Sequence, residues 1–275
     1  MLGYGGDAPN AAVMAAHLGA RVRLGGRIGD DALGRRLLAF WTTSGVDVEH
    51  VLVDPDGPTG LYVNELGAEG LHRFGYHRRL SAGSRLVPGD LPVTFLDGLG
   101  ILHVTGITLA VSDSSRDAAL ALAEAAGGMG ITLSLAVNHR PALGGDVSLL
   151  REVAARAGIV FTSAEEAPAV FGENDPRALA RLLGEGELVV SHGGAGATVV
   201  VDGAAAYDVP ALSVDVVDAT GAGDALAGAY LASRLAGAEP REALRRGVTA
   251  AGLSCRARGC ALSYPTATEV EQTLI

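Results

Sequence analysis

Short runs of β-branched and other apolar residues alternate along the chain with Ala- and Leu-rich stretches whose apolar positions recur at helical spacing. The first kind predicts strands at residues 22–26, 101–104, 131–136, 159–162, 188–192 and 198–201. Several of these runs are nearly all apolar, as expected of strands covered on both faces. The second kind predicts helices over 10–18, 32–44, 113–126, 148–157, 176–183, 222–235 and 240–255. Gly19, Gly45 and Gly127 follow three of them, where a left-handed residue ends a helix without steric cost. The alternation predicts an α/β domain, with a mainly parallel sheet between helical layers.

Residues 60–78 break the alternation. Two strand-like runs, 61–66 and 71–77, flank Gly67-Ala68-Glu69-Gly70, which is a β-hairpin pattern. An antiparallel hairpin in a parallel chain projects from the sheet, and a lid over a site, spanning about residues 57–80, is a natural use for it. There is no internal repeat or low-complexity linker, so the 275 residues read as one domain. Gly3-Tyr4-Gly5-Gly6 opens the chain with no strand before it, and the expectation is a first core strand missing at the N-terminus.

Charge narrows the function. The chain has 31 acidic and 21 basic residues, a formal net charge of −10. A sequence-independent nucleic-acid binder needs a basic face, so that class is excluded. Every basic residue is arginine, so a carboxylate or phosphate held by a side-chain cation falls to the planar guanidinium fork. No apolar run reaches the roughly 20 residues of a membrane span, and no signal segment opens the chain. The expected setting is cytoplasmic, with no membrane partner. Cys255 and Cys260 form neither a disulfide framework nor a zinc motif and read as small apolar residues.

Two glycine-rich segments carry candidate chemistry. In Asp218-Ala219-Thr220-Gly221-Ala222-Gly223-Asp224 a Gly-Ala-Gly turn opens into an apolar helix. The first amides of a helix have no internal partner, and with the helix dipole they make an anion site. Asp224 falls in the first turn beside it, where the dipole favours the carboxylate. An anion hole beside a carboxylate base is what phosphoryl transfer to a hydroxyl requires; a merely helix-capping acid is the plainer alternative. In the second segment, Gly5-Gly6-Asp7-Ala8-Pro9-Asn10, glycines precede a Pro-marked helix start. Asn10 either binds sugar hydroxyls or is simply a polar residue early in a helix. The same segment fits the loose Gly-x-Gly-x-x-Ala dinucleotide pattern, without the strand that pattern needs.

These motifs, with Gly26-Arg27-Ile28-Gly29-Asp30-Asp31-x-x-Gly34 between them, resemble the PfkB (ribokinase-like) sugar kinases in order and spacing over essentially the whole chain. The resemblance implies a three-layer α/β/α fold with a small β-sheet lid. It implies Asp224 as base, and Gly221, Ala222 and Gly223 as the anion hole. Within the family the chain looks most like the 2-keto-3-deoxygluconate kinases, through Thr59-Gly60-Leu61-Tyr62, Tyr76-His77-Arg78, His103 to Ala110 and Asn138-His139-Arg140-Pro141. That likeness implies a sugar site at Gly6, Asn10, Tyr62, Tyr76, Arg78, Ile107 and Arg140, with Arg78 and Arg140 as carboxylate partners. It implies ATP at Ser163, Ser191, Gly193, Gly196, Gly221, Gly223 and Thr249, and Mg²⁺ near Glu166. Asp218 and Thr220 resemble a monovalent-cation loop. The nucleotide side departs from the pattern: Ser163 replaces an Asn, Ser191-His192 a Lys, and Thr249 an Asn. A homodimer built through the lids is expected. The rivals are a neutral-sugar kinase, such as a fructokinase or ribokinase, and a sugar-binding protein without turnover.

Overall fold

The computed structural model describes residues 2–66 and 72–274. A six-stranded sheet has the order β10-β9-β8-β7-β6-β5, built from β5 (Ile101–Thr105), β6 (Thr132–Ala136), β7 (Ile159–Ser163), β8 (Glu187–Ser191), β9 (Ala197–Val201) and β10 (Ala205–Val209). β5 through β8 pair in parallel, and β9 and β10 add antiparallel at one edge. Side-chain alternation divides the core. Leu102, Leu133, Val160, Leu188 and Val200 face α4 (Asp113–Gly128), α5 (Val147–Arg156), α6 (Glu166–Phe171) and α7 (Pro176–Leu183). Ile159, Phe161, Val189 and Val199 face α8 (Ala222–Leu235) and α9 (Pro240–Ser254). The three-layer α/β/α arrangement follows, because strands that are largely apolar on both faces require cover on both.

The N-terminal part packs on the outer side of α8. α1 (Asp7–His17), β1 (Val22–Gly29), α2 (Ala32–Thr43) and β2 (Val46–Asp54) share a second core through Val13, Met14, Ile28, Trp41 and Val51. β1 pairs in parallel with β2 as a separate two-stranded sheet and does not join the central one. β3 (Leu61–Leu66) and β4 (His72–His77) form the expected antiparallel hairpin, with Tyr62 opposite Tyr76. The turn assigned to Gly67-Ala68-Glu69-Gly70 lies outside the described residues. Asp31 caps α2 and also accepts from the Thr59 amide at 2.7 Å and hydroxyl at 2.8 Å, fixing the segment from which the lid departs.

The sequence reading missed five strands and α-helices: β2, β10, α3 (Gly106–Ala110), α6 and α10 (Ala267–Thr273). Each is short or half-exposed, so its apolar pattern is incomplete; β10 has no buried residue. One helix stop is corrected. α4 continues through Gly127 to Gly128, and the chain turns at Gly130 with φ 72°. Gly19 and Gly45 do follow their helices with φ 87° and 84°.

α8 and α1 cross where Gly228 faces the Ala11 carbonyl and Met14, leaving no room for a methyl group. Gly228→Ala is expected to cost about 1–3 kcal/mol by overpacking. The check is a lower Tm accompanied by weaker turnover, since this crossing seats both glycine-rich segments.

Candidate active site

The carboxyl ends of β5 to β8 and the N-termini of α1 and α8 meet on one side of the sheet, where open α/β folds bind ligands. Asp224 sits there in the first turn of α8. Asn10 Nδ2 donates to its Oδ2 at 2.7 Å, and Asn138 Nδ2 to its Oδ1 at 3.3 Å. Burial pushes the Asp224 carboxyl up to about 7; the nearby Asp7 adds to the rise, and the two amides and Arg140 oppose it. This corrects the expectation of a dipole-favoured carboxylate: desolvation outweighs the helix terminus. A group half protonated near pH 7 is well matched to accepting a proton at that pH.

Gly221 caps α8 in the left-handed region at φ 83°, and its carbonyl accepts from the Tyr264 hydroxyl at 2.7 Å. A methyl group there would collide with Cys260 Sγ. At Gly223 a methyl group would meet nothing within 4 Å, so the cleft floor is open at that point. Of the amides expected in the hole, that of Ala222 is turned to Ala219 O at 3.1 Å. The amides of Gly221, Gly223 and Asp224 have no backbone acceptor among the described residues and are free to hold an anion. Asp218 Oδ1 accepts from the Thr220 amide at 2.9 Å, which shapes the turn before them.

Two cavities meet at Asp224. The first, of about 330 Å³, is lined by Gly6, Asn10, Tyr62, Tyr76, Arg78, Ile107 and Arg140, all seven residues expected around a sugar. Asn10 is turned to the base and to Cys260 Sγ, 3.1 Å away. Ile107 opens α3 (Gly106–Ala110), and Tyr62 reaches over Gly5, which has no side chain to obstruct it. Arg78 has no acidic partner among the described residues, whereas Arg140 Nη1 donates to Glu166 Oε1 at 3.0 Å. The second cavity, of about 450 Å³, is lined by Ser163, Ser191, Glu165, Glu166, His139 and Phe161. Asn138, Arg140, Gly223 and Asp224 line both. Ser163 Oγ accepts from the Glu166 amide at 3.1 Å, so Ser163 caps the short helix that presents Glu166. Gly193 and Gly196 form a turn after β8, and Thr249 is buried in α9; none of the three lines either cavity.

The sequence reading passed over three groups. Asp7 receives the Thr105 hydroxyl and raises the Asp224 pKa. Asn138, with φ 37°, holds the base directly. Cys260, at φ 54°, is a free buried thiol beneath Asn10 and Gly221. Asp7 and Asn138 stand within quoted motifs, beside the residues that were given roles. Nothing in the local sequence of Cys260 signals its position.

The pfkB family carbohydrate kinase model matches residues 2–267. The chain belongs to that family. It is 36% identical over 279 residues to a 2-dehydro-3-deoxygluconokinase of Thermoproteus tenax, covering 98% of this chain and 84% of that one. Among solved structures it is similar to aminoimidazole riboside kinase from Salmonella enterica complexed with aminoimidazole riboside and an ATP analog. That structure has TM-score 0.85 and 27% identity, covering 100% of this chain and 93% of the other. A fructokinase from Vibrio cholerae O395 with fructose, ADP and calcium bound has TM-score 0.88 and 25% identity, covering 100% and 92%. The protein is a carbohydrate kinase. Among the described residues no helix is long and apolar enough to cross a membrane.

For this kinase kcat/KM is expected to fall about tenfold per pH unit below an apparent pKa near 7, as Asp224 takes up a proton. Asn10→Ala removes a hydrogen bond to the carboxylate and should move that limb to higher pH. Asp224→Asn should lower kcat by roughly 10²–10⁴ with little change in sugar affinity. A pH–rate profile of the three proteins checks all of this, and an Asp224→Asn enzyme within threefold of the parent would remove Asp224 from the role.

Proposed function

We propose that the chain transfers the γ-phosphate of ATP to the primary hydroxyl of a sugar acid, 2-keto-3-deoxygluconate, giving its 6-phosphate. The observation that carries this reading is the position of Asp224 between the two cavities, with Arg78, Arg140 and two tyrosines lining the one on the acceptor side. A neutral hexose gives a cavity no reason to hold two guanidinium groups. A polyhydroxy acid engages both kinds of group, its carboxylate with an arginine fork and its hydroxyls with the phenols. The 36% identical 2-dehydro-3-deoxygluconokinase adds support.

In this reading Tyr62, Tyr76, Arg78 and Arg140 hold the acid so that its terminal hydroxyl lies against Asp224. The carboxylate takes the hydroxyl proton as the oxygen attacks the γ-phosphorus. The Gly223 and Asp224 amides meet the charge on the transferring group. Glu166 suits Mg²⁺. It is a carboxylate at the mouth of the second cavity, and no group of three metal-ligating side chains occurs among the described residues. That donor set fits an ion that keeps most of its water and is held by one or two carboxylates and the substrate's phosphates. When bound there, Mg²⁺ would neutralise charge on the nucleotide oxygens. A neutral-sugar kinase is the second reading, favoured by the ion pair that already engages Arg140. A binder without turnover gives no account of the proton acceptor beside the free amides.

ATP consumption across 2-keto-3-deoxygluconate, fructose, ribose and adenosine is expected to be fastest with the acid. Arg140→Ala should cost about 2–4 kcal/mol of kcat/KM for the acid, because a carboxylate is left unpaired, and much less for fructose. Arg140→Lys should restore only part, since an ammonium lacks the fork. Equal losses for both substrates would assign Arg140 to the phosphate instead.

We also propose a homodimer through the lids. On β3, Tyr62 and Asn64 face the cleft, while Leu61 and Val63 are 44% and 45% exposed on the outer face. Two exposed apolar side chains on the outer face of a two-stranded sheet, among polar neighbours such as Glu65 and His77, invite cover by a second copy. Light scattering should report twice the chain mass, and Val63→Glu should yield monomers; a monomeric parent protein at micromolar concentration sinks the proposal.

A further inference from the structure

Arg140 stands on the wall between the two cavities and is the one arginine that lines both. Its charge is engaged before any ligand arrives. Nη1 donates to Glu166 Oε1 at 3.0 Å and to the neighbouring His139 carbonyl at 2.9 Å. Glu166 opens α6 on the nucleotide side, while a sugar carboxylate would reach Arg140 from the other side. The two carboxylates therefore compete for one guanidinium. The acidic groups around the second cavity are Glu165, Glu166 and Asp224, and Arg140 is the arginine among them. An arginine drawn to a sugar acid leaves that side short of positive charge, which a divalent cation at Glu166 would restore.

The ion pair is suited to being exchanged. The Arg140 side chain is 38% exposed and that of Glu166 17%, so water reaches the guanidinium and can take part in its exchange between partners. A cation at Glu166 neutralises the carboxylate that engages Arg140, and frees a guanidinium that already lines the acceptor cavity for a second carboxylate. We propose that Arg140 exchanges Glu166 for the carboxylate of the sugar acid, so that a divalent cation on one side of the wall and the acid on the other strengthen each other's binding. The inference rests on the sugar-acid reading above and assigns Arg140 a second task within it. Coupling between two binding sites is reciprocal and commonly amounts to about 5–150-fold in affinity. A neutral sugar has no carboxylate to take part, so the exchange sharpens discrimination between acid and neutral sugar once the metal is in place.

Calorimetric titration of the full chain without nucleotide tests this on affinity and not on turnover. In EDTA, Glu166→Gln and Glu166→Ala should each bind 2-keto-3-deoxygluconate at least fivefold more tightly than the parent, because Arg140 is released. Saturating Mg²⁺ should tighten the parent by a similar factor and leave both variants unchanged. Fructose should bind parent and variants alike under both conditions. Melting curves establish that the variants are folded, and two substitutions guard against failure of one. If the acid binds parent and both folded variants with Kd values within twofold in EDTA, the exchange is overturned and the substrate class stands. If fructose binds and the acid does not, the substrate reading and the exchange fall together.

Discussion

A carboxylate held largely out of water is the constraint around which this molecule is arranged. Asp224 would be costly to ionise at its position without the amides of Asn10 and Asn138, each of which gives it one N–H. Those amides come from different parts of the chain, one from the start of α1 and the other from the loop after β6. Their convergence requires α1 to lie close against α8, which Gly228 permits, and the chain after β6 to turn through an unusual φ at Asn138. Cys260 adds a second such residue, accepting the other Asn10 N–H and filling the space beside Gly221. Unfavourable backbone conformations gathered around one side chain are typical of a site whose geometry is imposed by its surroundings.

The layered fold was legible because its central strands are nearly all apolar and its helices long enough to show their period. β2 went unread although Val46, Val48 and Val51 recur along it, since the exposed acids Asp47 and Glu49 and the half-buried His50 interrupt the pattern. The acceptor cavity was legible too, and all seven residues named for it line one space. What escaped was whatever depends on contacts between distant segments. Asn10 looked like a ligand for hydroxyls, but 214 positions separate it from the carboxylate it holds. The ionisation of Asp224 was misjudged for the same reason: a helix terminus is visible in the sequence, and desolvation is not. Gly193, Gly196 and Thr249 were named by likeness alone, and no cavity described here gathers them.

Electrostatics divides the cleft in a way the net charge of −10 does not suggest. Asp7 and Asp224 face Arg78 and Arg140 in the acceptor cavity, a balanced set. The second cavity is acidic apart from Arg140. On the proposed reading a polyphosphate would meet Glu165 and Glu166 here, and a divalent cation would offset that repulsion. Local arrangement, not the global sum, determines which anions the cleft admits.

The elevated Asp224 pKa bears on stability as well as on rate. The folded chain holds this proton more tightly than the unfolded chain does, because the carboxyl titrates near 7 in one and near its ordinary 3.8 in the other. Stabilisation from this group is therefore complete below pH 4 and is lost as pH rises towards and through 7. At the pH where the base is most available, the fold carries it at the greatest expense. The rest of the structure offsets that expense through the crossing of α1 with α8 and the three buried cores. A more comfortable carboxylate, paired with a nearby cation, would steady the fold and lose the proton affinity that makes it a base. The absence of an arginine within hydrogen-bonding distance of Asp224 among the described residues, in a cavity that contains two, is the form this compromise takes.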